Sequence, residues 1–311
     1  MIQIEKLCKR YGESTVVDDV SMVIEPRTMT TIVGTSGSGK STLLRMINRL
    51  VEPTSGRVLI DGNDTTAEPA HLLRRRIGYA IQGLGLFPHR TVADNIATVP
   101  RLLGWSDDRV SARVTELLEL FQLDPGLYAA KFPHELSGGQ QQRVGVARAL
   151  AAKPNVLLMD EPFGALDPII RSKAQDDLLG IQRRFGTTII LVTHDIDEAF
   201  RLGDCVAVMS QGRLLQHDRP AVLLTHPADP FVAQLTGSGD KSSWYHDRYI
   251  NNYSAHTNLD EWTQYSTSGD MTFQSNGWGG PVMDFATFVA TKGSENVEMI
   301  SVQTDSGWNG F

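Results

Sequence analysis

Gly34-Thr35-Ser36-Gly37-Ser38-Gly39-Lys40-Ser41-Thr42 decides the fold. Before it stands Thr30-Thr31-Ile32-Val33, a short β-branched and apolar run that predicts a buried strand. After it stands Leu43-Leu44-Arg45-Met46-Ile47, whose apolar spacing predicts a helix. Strand, glycine-rich loop and helix together match the phosphate-loop pattern G-x-x-x-x-G-K-[ST]. The glycines let backbone N–H groups converge on phosphate oxygens with no Cβ in the way. The helix N-terminus adds its partial positive charge. Lys40 can reach β- and γ-phosphates, and the Ser41 hydroxyl can ligate Mg²⁺.

Downstream, Val156-Leu157-Leu158-Met159 reads as a second buried strand, with Asp160 and Glu161 at its C-terminal end. Open α/β sheets bind ligands at that end of their strands. Asp160 suits a magnesium shell, and Glu161 is placed to polarise a water for attack on the γ-phosphate. Between these elements lies Leu136-Ser137-Gly138-Gly139-Gln140, leading into Gln141-Gln142-Arg143-Val144. Ser137 is expected to cap a helix whose first N–H groups the glycines expose, a second anion-binding helix end in one chain.

On these residues the chain resembles the ATP-binding subunits of ABC transporters, whose signature is Leu-Ser-Gly-Gly-Gln. The resemblance covers about residues 1–239 and rests on five spaced motifs in one order. It implies a P-loop NTPase core of α/β class, with a mainly helical insertion over about 83–150. It implies ATP and Mg²⁺ as ligands and a head-to-tail dimer in which the signature of one copy closes over ATP held by the other. Tyr11 matches the aromatic that stacks on adenine. Gln82 matches the Gln that contacts Mg²⁺ and the attacking water. Asp167, in Gly164-Ala165-Leu166-Asp167, matches the loop that touches the second copy, and His194 matches the His on the γ-phosphate. The implied site is therefore Tyr11, Gly34 through Thr42, Gln82, Ser137 through Gln140, Asp160, Glu161, Asp167 and His194. Pro26-Arg27 departs from a turn where the family often has Gly.

Within the family, Ile77-Gly78-Tyr79-Ala80-Ile81-Gln82 and the following Leu86-Phe87-Pro88-His89, with Val99-Pro100 and Trp105, look like the ATPases of osmoprotectant importers for glycine betaine, carnitine or choline. The segment 83–105 is expected to meet a membrane subunit, with Phe87-Pro88-His89 exposed. The resemblance further implies membrane-spanning permease subunits, an extracellular solute-binding protein and a place on the cytoplasmic face of the membrane. An importer ATPase for an amino acid or phosphate is the alternative. A soluble ABC protein acting on ribosomes or DNA fits less well, since the chain holds one nucleotide cassette and no sustained heptads.

Composition agrees and adds a seam. The chain has 311 residues, 41% hydrophobic, and a net charge of −7. That excludes a wholly disordered protein and is a poor prior for a nucleic-acid binder. Its 2 cysteines are no disulfide framework. No apolar run reaches the ~18 residues of a membrane span, and the N-terminal Met-Ile-Gln-Ile-Glu-Lys has no apolar signal core. Residues 240–311 hold 3 basic and 9 acidic side chains, so they carry −6 of the charge and residues 1–239 carry −1. The same 72 residues hold 12 of the 23 aromatics and a single leucine, Leu259. Thr236-Gly237-Ser238-Gly239 reads as a flexible linker into this extension. The extension is too short for paired CBS modules, which need on the order of 120 residues. Its fold is left open between a poorly ordered or loosely packed extension and a small aromatic β module, with a strand expected over 298–304.

Overall fold

The computed structural model describes residues 1–80, 85–164, 166, 168–237 and, in the extension, 262–267, 270–275, 283–284, 301–304 and 307–309. Gln82, Leu84, Asp167, Ser238 and Gly239 lie outside the described residues. The chain divides into two compact units, Met1–Leu223 and Leu224–Phe311.

The first unit opens with β1 (Ile2–Tyr11), β2 (Ser14–Ile24) and β3 (Met29–Gly34), then α1 (Lys40–Ile47). β4 (Ser55–Ile60), β5 (Asn63–Asp64), α2 (Ala70–Arg76) and β6 (Ile77–Ala80) follow. A helical stretch comes next: α3 (Val92–Leu102), α4 (Asp107–Leu120), α5 (Pro125–Tyr128) and α6 (Gly138–Leu150). The chain then returns to β7 (Val156–Asp160), α7 (Pro168–Phe185), β8 (Thr188–Val192), α8 (Ile196–Leu202), β9 (Cys205–Ser210) and β10 (Arg213–Asp218). This is the expected α/β core interrupted by a helical insertion. A short 3-10 turn at Pro133–Glu135 separates α5 from α6, where Pro133 predicts a break.

The central sheet has the order β10-β9-β3-β8-β7-β6. All its pairings are parallel except β10 with β9. The C-terminal ends of β3, β7 and β8 therefore point one way, and the three motifs that follow them gather at one edge. A second, antiparallel sheet has the order β2-β1-β4-β5.

The two-residue period of a strand explains how the central sheet joins two cores. Leu157 and Met159 of β7, with Ile189 and Leu191 of β8, pack against the insertion helices. Val156, Leu158, Ile190 and Val192 face the other way, onto α1 and the antiparallel sheet. Strands buried on both faces must be apolar throughout, hence the unbroken runs that mark them in the sequence. At the Pro26-Arg27 turn, Arg27 adopts a left-handed φ of 64°. Its N–H is held by Thr188 Oγ1 at 2.9 Å. The family's usual Gly suits that conformation, and here a side chain accepts it.

Arg113 of α4 is 4% exposed. It donates to the carbonyls of Leu150 (2.8 Å) and Ala151 (3.2 Å), and so closes the C-terminus of α6. Arg113→Met keeps the apolar stem but strands both carbonyls. It is expected to lower stability by about 2–3 kcal/mol, read as a shift in urea midpoint at unchanged slope.

In the second unit, α9 (Pro220–Thr225) runs across the boundary and α10 (Pro230–Thr236) follows. Further on are β11 (Trp262–Thr267), β12 (Asp270–Ser275), β13 (Met283–Asp284), β14 (Ser301–Thr304) and β15 (Gly307–Asn309). They form one sheet of order β13-β12-β11-β14-β15. β14 takes up the last four residues of the strand expected over 298–304.

Candidate active site

Gly34 ends β3 at φ +152°, and a Cβ there would sit 2.0 Å from the Met209 carbonyl oxygen. Gly39 stands at φ +95°, where a Cβ would lie 2.4 Å from the Val16 carbonyl oxygen. The loop thus folds against backbone on two sides, which only glycine permits. Gly39 is also the N-cap of α1 and offers no side-chain cap, so the first N–H groups of α1 have no side-chain acceptor at the cap.

Lys40 is the first residue of α1 and is 6% exposed. Its Nζ donates to the carbonyls of Gly34 and Thr35, each at 2.8 Å, and to Ser38 Oγ at 3.4 Å. Burial pushes its ammonium below the ordinary lysine value, while the carboxylates of Glu161 and Asp160 oppose that shift. The next residue reaches across the sheet: Ser41 Oγ donates to Asp160 Oδ1 at 2.8 Å.

Asp160 closes β7 and is fully buried. Arg45, one turn along α1, approaches its Oδ2 at 3.6 Å. That oxygen has no hydrogen-bond partner among the described residues. A buried anionic oxygen beside a serine hydroxyl is a donor set that fits magnesium. Among the described residues no group of three or more His, Cys, Asp or Glu could hold a metal alone. A cation here would draw the rest of its shell from water or phosphate oxygens, as magnesium commonly does.

Glu161 follows in the left-handed region, at φ 47°. Its N–H donates to Val192 O at 2.9 Å, extending the β7–β8 pairing by one bond. The conformation costs a non-glycine residue about 1–2 kcal/mol and redirects the side chain after the strand ends. Glu161 Oε2 lies 3.4 Å from Nδ1 of His194, two residues beyond β8. The His194 side chain is 64% exposed, so it is open to a ligand arriving from solvent.

The structure brings Lys40, Ser41, Asp160, Glu161 and His194 together at one sheet edge. Tyr11 ends β1, half exposed with Lys9 Nζ 4.8 Å from its ring centroid. The signature begins α6 in the insertion. Ser137 Oγ accepts from Gln140 N–H at 3.4 Å, and Gln140 Oε1 accepts from Ser137 N–H at 2.9 Å. This reciprocal cap fixes the entry into the helix. Gln140 Nε2 also donates to Tyr128 Oη at 3.1 Å. Gln82 and Asp167 lie outside the described residues. Phe87, Pro88 and His89 are exposed. Leu86 and Trp105 pack on the core and Ile96 is fully buried within it, whereas Leu102 and Leu103 are exposed. Sequence reasoning missed Arg45, which sits in the apolar pattern of α1 and gains meaning only from the strand it faces.

A family model described as ABC transporter matches residues 17–164. The glycine betaine uptake system ATP-binding protein YehX of Escherichia coli (strain K12) is 51% identical over 240 residues, 77% of this chain and 78% of that one. The osmoprotectant import ATP-binding protein OsmV of Salmonella typhimurium is 48% identical, over 76% of this chain and 63% of that one. This chain thus spans less than two thirds of the second relative's length. Among solved structures, the dimeric post-hydrolysis state of the ATP-binding cassette MJ0796 bound to ADP and Pi has a TM-score of 0.64 at 33% identity. That match covers 70% of this chain and 98% of the other.

Proposed function

The chain belongs to the ABC transporter family of ATP-binding proteins, and from that premise we propose that it hydrolyses ATP to drive an importer of quaternary-amine osmoprotectants such as glycine betaine, carnitine or choline. The observation that supports the chemistry best is the convergence of Lys40, Ser41, Asp160, Glu161 and His194 on one edge of the sheet. The names of the relatives at 48–51% identity support the solute class.

In this reading the loop from Gly34 to Gly39 wraps the β- and γ-phosphates with backbone N–H groups, and Thr42 extends the cradle into α1. Lys40 exchanges its carbonyl partners for phosphate oxygens, which relieves the cost of its burial. Ser41, Asp160 and Gln82 would hold magnesium, which when bound neutralises charge on the transferring phosphoryl group. Glu161 accepts a proton from water as the water oxygen bonds to γ-phosphorus and the bond to the ADP oxygen breaks. His194 and Lys40 meet the charge that develops on the phosphoryl oxygens. Tyr11 stacks on the adenine ring.

We take the ATPase domain as residues 1–239, with its helical subdomain at about 83–150. Two copies pack head to tail, so that Ser137, Gly138, Gly139 and Gln140 of one close on the ATP of the other, and Asp167 contacts the second copy. The exposed Phe87-Pro88-His89 faces a membrane-spanning permease subunit. Among the described residues no helix is long and apolar enough to cross a membrane, so that subunit supplies the spans. The chain works at the cytoplasmic face, and an extracellular solute-binding protein delivers the solute.

The test is solute-stimulated ATPase in the complex purified from membranes and placed in liposomes. Glycine betaine, carnitine or choline is expected to raise the rate, while amino acids and phosphate leave it unchanged. Stimulation by an amino acid or phosphate alone would move the assignment to that solute.

A further inference from the structure

Asn95 of α3 is polar yet fully buried. Its side chain is spent on one stretch of backbone. Oδ1 accepts from Phe87 N–H at 2.8 Å. Nδ2 donates to the carbonyls of Phe87 (3.1 Å), Arg90 (3.2 Å) and Thr91 (3.0 Å). A buried amide satisfied this fully holds the loop in one shape, because every alternative shape strands a polar group.

Arg148 ties that loop to a second element. It lies near the C-terminal end of α6 and donates from one nitrogen to Gly85 O at 2.8 Å and to Asn95 Oδ1 at 3.5 Å. Its guanidinium carbon is 5.5 Å from the centroid of the Phe87 ring, and that of Arg90 is 5.1 Å from it. Two guanidinium groups thus lie over the ring, which remains 39% exposed. Burial lowers the pKa of Arg148 from its ordinary value, a cost that its backbone and ring contacts offset. Ser137, the N-cap of α6, is on the same rod, about 16 Å away by helical rise.

We propose that Arg148 and Asn95 are positioning residues that lock the Gly85–Thr91 loop to the C-terminal end of the signature helix, so that a movement of α6 at its Ser137 end carries Phe87 with it. The inference rests on the reading of Phe87-Pro88-His89 as the permease-facing surface. Neither residue is among those proposed to hold nucleotide, so both act on coupling between hydrolysis and transport and leave hydrolysis itself intact.

The experiment uses the full complex in liposomes for solute uptake and solute-stimulated ATPase. The full chain alone serves for basal ATPase and nucleotide affinity. Arg148→Met and Asn95→Ala are expected to keep basal rate and affinity within about twofold, while stimulated ATPase and uptake fall by about tenfold or more. Removing Asn95 leaves backbone groups unpaired and could prevent folding. In that event Arg148→Met, which keeps the apolar stem, carries the test. Phe87→Ala separates the two layers of the argument. If it leaves stimulation intact, the permease-facing reading falls and takes the inference with it. If it abolishes stimulation while Arg148→Met does not, the inference alone is overturned. Basal and stimulated rates falling in proportion in Arg148→Met would also overturn it, since that is the mark of a merely structural residue.

Discussion

Glu161→Gln is expected to leave ATP binding unchanged and to lower steady-state turnover by about two to four orders of magnitude. The side chains are isosteric, and glutamine can hold the same N–H bond to Val192 O and the same left-handed backbone. What it cannot do is accept the proton of the attacking water. At about 1.36 kcal/mol per decade, the loss is roughly 3–5 kcal/mol of transition-state stabilisation. Phosphate release and nucleotide titration on the same preparation check both halves. Turnover at the wild-type rate would remove Glu161 as the base, and weakened ATP binding would show that it also holds the ground state.

Lys40→Ala strikes the step before. The ammonium is buried among the Gly34 and Thr35 carbonyls and the Ser38 hydroxyl, so its replacement removes both the cation for the phosphates and the strut inside the loop. A charge-assisted hydrogen bond contributes about 1.5–3 kcal/mol, which raises the nucleotide Kd by about 10- to 150-fold. Fluorescence titration with a nucleotide analogue measures it. Lys40→Arg tests geometry against charge: the planar fork does not fit a pocket lined by carbonyls 2.8 Å away, so it is expected to restore little. Full rescue by arginine would mean that the site needs only a positive charge.

Much of this was legible in the chain. The phosphate loop, the Asp160-Glu161 pair and the Ser137 cap are contiguous motifs, because each does its work through backbone N–H groups or side chains of neighbouring residues. The strands that carry them announce themselves as unbroken apolar runs, since both faces of the central sheet are covered. The charge count separated the extension from the nearly neutral first 239 residues. It left the fold of the extension open, where one leucine in 72 residues provides no apolar period to follow.

Other features wrote no local pattern. Ser41 and Asp160 are 119 residues apart in sequence and 2.8 Å apart in space. Arg45 on Asp160, Arg113 on the end of α6, and Arg148 with Asn95 behind Phe87 are single polar residues in amphipathic helices. As a sequence they look like solvated positions. The sequence by itself determined the family and the α/β order of elements, and it named the residues proposed here for ATP. Tertiary structure alone decided which of them share a sheet edge, that Glu161 turns toward His194 through a left-handed backbone, and that a buried asparagine and arginine hold the exposed loop. The physical reason is range. A phosphate loop or a helix cap is closed by residues within one turn, whereas a buried polar group is satisfied by whichever distant backbone the packed sheet and helices bring beside it.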